Sequence, residues 1–294
     1  MIVSTSILFV LSLFFLYNDT NLIVYGQLYR IFNRKDWIIM EQNLTMFSLK
    51  GKTALVTGAN TGLGQGICVA YAAAGANVIG VARRSCQETA EKIAAISGNF
   101  TEIIADLSDT NIIPRIVEEA NKVYGRVDIL VNNAGIIKRC DSVDVTIEDW
   151  EAVININEKN VFFLCQAFAK DWIPNKQGGK IINIASMLSY QGGIRVPAYT
   201  ASKSAVMGLT KALANEWAKY NINVNAIAPG YMATNNTQNL RSDEQRSDEI
   251  LSRIPAGRWG TPEDLTGAAI FLASDAASYV HGFTIAVDGG WLAR

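Results

Sequence analysis

The sequence predicts an α/β fold, a doubly wound, seven-stranded parallel sheet in a single domain. Short runs rich in β-branched residues alternate with stretches of helical spacing from Met46 to the carboxyl terminus. Such an alternation is typical of a parallel sheet with helices on both faces. Hydrophobic residues make up 49% of the chain and charged residues only 18%, so there are enough apolar side chains to cover both faces of the sheet.

The predicted elements follow one another regularly along the chain. The seven strands are expected at 53–56, 77–81, 101–105, 128–131, 180–184, 223–227 and 284–287. The six helices are expected at 63–74, 87–96, 111–124, 150–172, 201–220 and 262–272. The last helix has a clear start signal, because Thr261 suits the N-cap and Pro262 suits the first helical position.

One segment, residues 235–259, interrupts this alternation. It is polar and charged, and it lies between the sixth strand and the last helix. Two interpretations are open. A long excursion after the carboxyl end of a strand is typical of a lid over a ligand site, and a polar stretch of this kind is also typical of a solvated surface helix.

The first 45 residues differ in character from the rest. Residues 7–17 are apolar except for Ser12, a run shorter than the roughly 20 residues that span a bilayer. No basic residue precedes this run, and no cleavage pattern of small residues follows it, as a signal peptide requires. We interpret 1–45 as an apolar extension outside the mature protein, with translation starting at Met40 or Met46. Residues 1–39 are then expected to be dispensable, and 46–294 forms the domain.

Charge and cysteine content exclude several classes of protein. The 26 Lys and Arg residues against 27 Asp and Glu residues leave a net charge of -1, without the basic excess of a nucleic-acid-binding surface. The scattered cysteines and the lone histidine do not match a zinc site or a disulfide framework. These residues are Cys68, Cys86, Cys140, Cys165 and His281. We therefore expect no metal and no nucleic-acid partner.

The first predicted strand runs directly into a glycine-rich turn and then a helix. Gly58, Gly62 and Gly64 allow a close approach of the backbone, so that a pyrophosphate can bind the N–H groups at the helix N-terminus. Their spacing, Gly-x3-Gly-x-Gly, resembles that of the short-chain dehydrogenases/reductases. The resemblance implies a Rossmann-type fold that binds NAD(H) or NADP(H). It also implies cofactor contacts from the residues between the glycines, Asn60, Thr61 and Leu63.

Three further segments are similar to motifs of this family. Asp106 and Leu107 follow the third strand, where the family's acidic residue contacts the adenine ring; the alternative for Asp106 is a capping role before Ser108. The Asn-Asn-Ala-Gly motif and the turn after the sixth strand border the cofactor in the family. Here these positions are Asn133, Ala134 and Gly135, then Pro229, Gly230, Met232 and Thr234.

The end of the second strand bears on the choice between NAD and NADP. An acidic residue there would bind the ribose 2′-hydroxyl and repel a 2′-phosphate. This chain has Arg83 and Arg84 instead, and a guanidinium group favours the phosphate. NADP(H) is then at least tolerated, with Arg83 as its partner. If both arginines point into solvent, NAD(H) is the alternative.

Ser186, Tyr199 and Lys203 are the candidate catalytic residues. Lys203 follows Tyr199 by four positions, which puts both side chains on one face of a helix. Ser186 follows the fifth strand directly, at the edge where ligands bind in open α/β sheets. The resemblance implies that the tyrosine is the acid, the serine holds the substrate oxygen and the lysine holds the nicotinamide ribose. Asn157 matches the family's fourth catalytic residue, which positions a water, and Asn155 is the alternative assignment.

Hydride transfer to a ketone needs a group that protonates the carbonyl oxygen as negative charge develops there. A phenol titrates near about 10, so we expect the Lys203 ammonium to lower the pKa of Tyr199 toward neutrality. Tyr199 then serves as acid or base in the two directions of the reaction.

The resemblance covers nearly all of 46–294. The segments 47–52, 181–199, 215–240, 243–246, 253–260 and 285–294 are most similar to family members of pectin and uronate breakdown. This implies interconversion of 2,5-diketo-3-deoxygluconate and 2-keto-3-deoxygluconate by a cytoplasmic homotetramer. The candidate substrate contacts are Ser186, Tyr199, Gln191, Arg195 and Arg139. Arg195 is the first choice for a clamp on the substrate carboxylate, and Arg139 is the second.

Two alternatives remain. Another short-chain enzyme, acting on a 3-oxoacyl thioester or a polyol, would share the catalytic residues. A thioester reductase should have an apolar groove where this chain has Lys138, Arg139, Gln191 and Arg195. The other alternative is a cofactor-binding regulator without catalysis, and the complete set of Asn157, Ser186, Tyr199 and Lys203 argues against it.

Overall fold

The computed structural model describes residues 44–294, so the expectations for the amino-terminal extension lie almost entirely outside the described residues. The chain divides into two units, 1–46 and 47–294, and the second contains all the elements considered below. No helix within the described residues is both long enough and apolar enough to cross a membrane.

The core of the second unit is one sheet of seven parallel strands, which confirms the predicted fold. The strands are β1 (Thr53–Thr57), β2 (Asn77–Ala82), β3 (Asn99–Ile104), β4 (Ile129–Asn132), β5 (Gly179–Ile184), β6 (Ile222–Pro229) and β7 (Thr284–Val287). Their order in the sheet is β3-β2-β1-β4-β5-β6-β7, and every neighbouring pair is parallel. The chain therefore reverses direction across the sheet between β1 and β4.

Helices cover both faces of this sheet. They are α1 (Gly62–Ala73), α2 (Gln87–Ala94), α3 (Ile113–Tyr124), α4 (Ile147–Ile154), α5 (Asn160–Trp172), α6 (Pro197–Trp217), α7 (Gln238–Ser242), α8 (Glu244–Leu251) and α9 (Pro262–Ala273). The predicted start of the last helix is confirmed. Thr261 is its N-cap, Pro262 is its first residue, and Thr261 and Asp264 form a reciprocal capping box.

Strand β1 shows how the sequence builds two cores. All five of its residues are buried, as expected for a strand covered on both faces. Side chains alternate between the two faces of a strand, so Leu55 packs with Ile79 and Leu130 in one cluster. Ala54 and Val56 pack into the other. A helix layer on each side completes these clusters.

The predicted helix at 150–172 is three segments in the structure. Helix α4 passes into a π-helical turn, Asn155–Lys159, and then into α5. Within this turn the N–H of Asn160 bonds to the carbonyl of Asn155, five residues earlier. Such insertions are common at functional sites. Here the turn places Asn157, which is fully buried, at the end of the sheet beside β4.

Candidate active site

A cleft lies at the carboxyl edge of the sheet, where the strand order reverses between β1 and β4. This is where open α/β sheets bind their ligands. It consists of two adjoining cavities of about 410 and 210 Å³. Residues common to both are Gly58, Asn60, Thr61, Ala134, Gly135, Asn235 and Asn236. The larger cavity extends to Arg83, Asp106 and Leu107, and the smaller to Gly62, Leu63, Asn133, Tyr199, Lys203 and Thr234.

The glycine turn shows why two of its positions exclude a side chain. Gly58 has a φ of +69°, which favours glycine. A Cβ on Gly64 would lie 2.2 Å from the carbonyl oxygen of Gly58 and 2.5 Å from Nδ2 of Asn133. Gly64 itself does not line the cleft. Because Gly64 has no side chain, the first turn of α1 can pack against the carbonyl of Gly58 and the side chain of Asn133.

The turn fits a pyrophosphate. Within residues 44–294, the N–H groups of Asn60 and Thr61 have no hydrogen-bond acceptor, and both residues line the cleft. They lie at the N-terminus of α1, where the helix dipole favours an anion. The cleft therefore suits a nicotinamide dinucleotide, with its phosphates at this turn.

A threonine that the sequence reasoning missed joins the turn to β4. The Thr57 hydroxyl accepts hydrogen bonds from the N–H groups of Asn133 and Ala134, each at 3.0 Å. Asn133 also donates from its side chain, with Nδ2 2.9 Å from the carbonyl oxygen of Thr57. Thr57 stands directly before Gly58, and that position was its only sequence signal.

At the far end of the cleft, the exposed side chains of Arg83 and Arg84 line the wall. Neither arginine has an ion pair within the described residues. Asp106 accepts a 2.9 Å hydrogen bond from the N–H of Ser108, which is the main cause of its lowered pKa. Asp106 thus caps the following turn and also faces the cleft. The carbonyl of Leu107 accepts from the Asn160 amide, which holds this loop in place.

Ser186 is held at the end of β5 by its own loop. Its hydroxyl accepts from the N–H of Leu188 at 3.1 Å, and its N–H donates to the Ser189 hydroxyl at 3.3 Å. Ser189 in turn donates to the main-chain oxygen of Lys203 at 2.6 Å. This contact fixes the serine loop to helix α6.

Helix α6 carries both Tyr199 and Lys203, and it begins at Pro197, four residues before the predicted start. The expectation that the pKa of Tyr199 is lowered is wrong. Burial raises this pKa above 10, while a hydrogen bond to Ser186 and the positive charge of Arg139 pull it partly back. The Lys203 ammonium lies 5.7 Å from the centre of the Tyr199 ring.

Lys203 is almost completely buried, with 4% of its surface exposed. Its ammonium donates a 2.6 Å hydrogen bond to the main-chain oxygen of Ile184, at the end of β5. Burial lowers the pKa of Lys203 from 10.5 to about 8. The charged form is therefore destabilised by loss of solvent, and within the described residues one hydrogen bond partly replaces the lost water.

Of the two neighbouring asparagines, Asn157 is the one buried at the site. Its Oδ1 accepts from the N–H of Ile136 at 2.9 Å, and its Nδ2 donates to the Ile136 carbonyl and to the Ser202 hydroxyl. These bonds use both protons of Nδ2 and one of the two lone pairs of Oδ1. Asn157 therefore ties the loop after β4 to helix α6, while Asn155 stays partly exposed.

The residues after β6 divide between the cleft and the core. Thr234 lines the cleft, with its methyl group 3.5 Å from the position of a Cβ on Gly62. Met232 packs in the core against Gly260, and its carbonyl accepts from Thr237. Neither Pro229 nor Gly230 lines the cleft; they close the end of β6.

The segment at 235–259 combines the two interpretations that the sequence left open. Asn235 and Asn236 line the cleft. Farther along, α8 is a surface helix, and Ile250 anchors it in a small cluster with Met187 and Trp291. The cover of the cleft is therefore the short stretch next to Thr234.

The two candidate carboxylate clamps have different surroundings. Arg195 is exposed, its Nε lies 3.0 Å from Oδ1 of Asp141, and its carbonyl accepts from the N–H of Cys140. Through these contacts Arg195 connects the loop before α6 to the loop that contains Cys140 and Asp141. This is evidence against Arg195 as the clamp on the substrate carboxylate. Arg139 has no ion pair within the described residues and donates to the carbonyl of Asn236 at 3.1 Å. Its charge also acts on Tyr199.

Lys138 and Gln191, the other two polar residues expected near the substrate, are placed differently. Lys138 forms an ion pair of 3.2 Å with Asp149, so its charge is already balanced. Gln191 is partly exposed in the loop between Ser186 and Tyr199 and does not line the cleft. Arg139 is thus the basic side chain that the structure leaves available near Tyr199.

Known proteins with similar sequences share this arrangement over most of their length. A family model described as enoyl-(acyl carrier protein) reductase matches residues 58–292. The 2-dehydro-3-deoxy-D-gluconate 5-dehydrogenase of Dickeya dadantii (strain 3937) is 61% identical over 251 residues, which cover 85% of this chain and 99% of the relative. The enzyme of that name from Escherichia coli (strain K12) is 60% identical over 251 residues, with the same coverage.

Among solved structures, the chain is similar to one from Agrobacterium tumefaciens with bound NADP. That protein is provisionally named a 2-deoxy-D-gluconate 3-dehydrogenase. The two are 56% identical, with a TM-score of 0.81, over 85% of this chain and 99% of the other. At this identity the likeness extends beyond the fold to the sequence.

Proposed function

The chain belongs to the short-chain dehydrogenase/reductase family, and from this we propose that it interconverts 2,5-diketo-3-deoxy-D-gluconate and 2-keto-3-deoxy-D-gluconate with NAD(H) or NADP(H). This reaction belongs to pectin and uronate breakdown. The observation that carries the proposal is the placement of Tyr199 and Lys203 in the dinucleotide cleft, with Arg139 close enough to act on the tyrosine. The relatives named for this reaction support the choice of substrate.

The nicotinamide ring supplies or accepts the hydride when it is bound. In the reducing direction, the ketone oxygen gains negative charge, and the Tyr199 hydroxyl transfers its proton to that oxygen. Ser186 lies at the end of β5 beside this hydroxyl and donates a hydrogen bond to the same oxygen. Tyr199 recovers its proton from solvent, so the reaction consumes one proton overall.

The raised pKa of Tyr199 determines its protonation state before the reaction, and this state favours one direction of the reaction. Because burial keeps the phenol protonated at neutral pH, the residue is ready to act as the acid in reduction. Oxidation of the alcohol requires the phenolate instead. The hydrogen bond to Ser186 and the positive charge of Arg139 stabilise that form, so both directions remain open.

Lys203 and Asn157 serve this chemistry in different ways. Lys203 presents a buried ammonium 5.7 Å from the centre of the Tyr199 ring, where it holds the ribose hydroxyls of the cofactor. The Asn157 side chain donates both of its amide protons and accepts one hydrogen bond within the protein, so it acts by positioning Ile136 and Ser202. The water assigned to Asn157 from the sequence would then bind its main chain in the π-helical turn.

We assign the substrate carboxylate to Arg139. A sugar acid has a fixed negative charge at one end, and its ketone must lie against Ser186 and Tyr199 at the other. Arg139 has no ion pair in the described chain, whereas Arg195 is paired with Asp141. A guanidinium group also holds a carboxylate through two parallel hydrogen bonds.

For the cofactor, we favour NADP(H) over NAD(H). Arg83 and Arg84 line the adenosine end of the cleft and form no ion pair within 44–294, although the charge of Arg83 acts on the Asp106 carboxylate. A 2′-phosphate beside them would gain charge-assisted hydrogen bonds. The bound NADP in the similar structure supports this choice.

The proposal includes a homotetramer in the cytoplasm, without a metal or nucleic acid as partner. Large apolar side chains are exposed on two separate parts of the surface. Val143, Ile147 and Trp150 surround the start of α4, and Tyr279 and Phe283 precede β7. Exposed apolar patches of this kind mark interaction sites, and a closed tetramer uses more than one interface per subunit.

One assay tests the function directly. Purified protein is incubated with 2-keto-3-deoxygluconate and either NAD+ or NADP+, and absorbance of the reduced nicotinamide is followed. The proposal requires reduction of at least one cofactor and a 2,5-diketo product. Gluconate and a 3-hydroxyacyl thioester serve as comparison substrates. Turnover faster with either of them than with the deoxy sugar acid would refute the substrate assignment.

A further inference from the structure

We infer that Thr89 and Gln65 are positioning residues for cofactor binding, because they hold the glycine turn so that its N–H groups point into the cleft. Neither residue lines the cleft, and neither belongs to the motifs that identify the family. The inference rests on the proposal that the cleft binds a nicotinamide dinucleotide. It adds residues on α1 and α2 that act on the phosphates through the backbone.

The contacts form a chain of hydrogen bonds beneath the turn. The Thr89 hydroxyl donates to the carbonyl of Ala59 at 2.7 Å. Nε2 of Gln65 donates to the Thr89 hydroxyl at 3.2 Å and to the carbonyl of Asn60 at 3.4 Å. Thr89 and Ala59 are fully buried, and Gln65 is 9% exposed. Two consecutive carbonyls of the turn are thus held from below.

Peptide geometry then determines where the next N–H groups point. In a planar trans peptide, the carbonyl and the N–H of the following residue point in opposite directions. With the Ala59 carbonyl directed down to Thr89, the N–H of Asn60 is directed up into the cleft. The Gln65 side chain likewise holds the Asn60 carbonyl below the turn, so the N–H of Thr61 is directed into the cleft. Neither of these two N–H groups has a hydrogen-bond acceptor among residues 44–294.

The direction of this chain of hydrogen bonds is fixed at its outer end. Nζ of Lys92 donates to Oε1 of Gln65 at 2.6 Å, and it also forms an ion pair with Glu88 at 2.8 Å. An ammonium group has only donors, so the glutamine must present its oxygen to Lys92 and its NH2 to the turn. The Thr89 hydroxyl accepts from that NH2 and must therefore donate to Ala59. Glu88, which also interacts with the Gln65 side chain, lies at the same outer end of this chain of hydrogen bonds.

Replacing Thr89 by Val tests this arrangement, since Val keeps the shape and removes the hydroxyl. The probes are ADP-ribose, which contains the pyrophosphate, and 2′-AMP, which reaches only the adenosine end. Binding is measured by calorimetry, without substrate or turnover. We expect the Kd of ADP-ribose to rise about tenfold, which corresponds to about 1.4 kcal/mol, and the Kd of 2′-AMP to stay within about twofold.

Two variants serve as controls for this experiment, and a third is an alternative test. Thr89→Ser retains the hydroxyl and should bind both probes like the wild type. Thr101→Val removes a threonine hydroxyl whose one hydrogen bond within residues 44–294 is to Tyr124, at 3.0 Å, and it should also leave both Kd values unchanged. If Thr89→Val fails to fold, Gln65→Met removes both donors from a helix position and should weaken ADP-ribose in the same selective way.

The outcomes separate this inference from the proposed function. Wild-type protein that binds neither probe would refute the dinucleotide site itself. Wild-type binding with an unchanged Kd for ADP-ribose in Thr89→Val would overturn the inference alone. An equal loss for ADP-ribose and 2′-AMP would also overturn it, because the residue would then support the whole region between β2 and α2 rather than the turn.

Discussion

The guanidinium of Arg139 donates a 3.1 Å hydrogen bond to the main-chain oxygen of Asn236, so the loop after β4 contacts the segment after β6. Asn236 lines both cavities of the cleft. The same guanidinium acts on the pKa of Tyr199. Arg139 is therefore close to the proposed acid and to the cover of the cleft, and a carboxylate bound to it would compete with the Asn236 carbonyl.

Arg139→Gln should lower kcat/KM for the diketo sugar acid by about 10- to 100-fold, because hydrogen bonds to a charged group contribute about 1.5–3 kcal/mol. The assay is run at neutral pH in the reducing direction, where Tyr199 is protonated in both proteins. An uncharged ester of the substrate should lose much less. Arg195→Gln is the matched control and should retain activity within about threefold. A larger loss for Arg195→Gln than for Arg139→Gln would reverse the assignment.

The same substitution should change the pH dependence of the oxidation. This direction needs the Tyr199 phenolate, so its rate rises with pH. Because the positive charge of Arg139 lowers the pKa of Tyr199, its removal should move this rise to higher pH. The measurement is kcat/KM against pH for 2-keto-3-deoxygluconate. A rise at the same or lower pH in Arg139→Gln would show that the charge does not reach the phenol.

Tyr199→Phe removes the proposed acid and keeps the ring. Turnover should fall by about 10²-fold to 10⁴-fold, while the Kd for NADPH should change little, because the phosphates and adenosine bind elsewhere in the cleft. Steady-state kinetics and NADPH fluorescence give the two quantities. Wild-type turnover in this variant would disprove the mechanism.

Lys203→Met should stabilise the protein while abolishing activity. Burial lowers the pKa of Lys203 from 10.5 to about 8. Below pH 8 the lysine is charged in both states, and its buried charge lowers the free energy of unfolding by on the order of 3 kcal/mol. Losing the hydrogen bond to Ile184 offsets part of this cost, which leaves a gain of about 1–2 kcal/mol. Between pH 8 and 10.5 the folded wild type loses its proton before the unfolded chain does, so the gain should shrink. Urea unfolding at several pH values checks this. A variant less stable than the wild type at every pH would contradict it.

Arg83→Asp should shift the cofactor preference toward NAD(H). The change removes a partner for the 2′-phosphate and adds an acceptor for the ribose hydroxyl. We expect the ratio of kcat/KM for NADP+ to that for NAD+ to fall by about tenfold or more, as for the loss of one charge-assisted hydrogen bond. Arg115→Asp, on the exposed face of α3, controls for the change in net charge. An unchanged ratio would show that Arg83 faces solvent.

The fold was predictable because each strand corresponds to a short run of the sequence that is rich in β-branched residues. The β1 residues are apolar or β-branched and end at the glycine turn, and the structure begins this strand at Thr53 as expected. The π-helical turn at Asn155–Lys159 was not predictable. One extra residue in a long helix changes the hydrophobic period too little to be detected, and buried bonds to Ile136 and Ser202 stabilise the turn.

The site was predictable where a motif fixes the backbone, and less so where side chains meet across loops. Tyr199 and Lys203 are placed by their spacing on one helix. The choice between Arg195 and Arg139 depends on Asp141, which pairs with the first of them only after the chain has folded. The pKa of Tyr199 likewise depends on burial by distant segments, which no local pattern reveals.

Asn157 has a consequence for which carbon of the sugar reacts. Its bonds to Ile136 fix the loop that carries Arg139, and its bond to Ser202 fixes the helix that carries Tyr199. If Arg139 binds the carboxylate and Tyr199 binds the ketone oxygen, as we propose, the distance between these two binding groups is constant. A site of this kind would accept one separation between carboxylate and ketone and would reject isomers in which that separation is one carbon shorter or longer. The regiochemistry of the reaction would then be set by a buried amide that never touches the sugar.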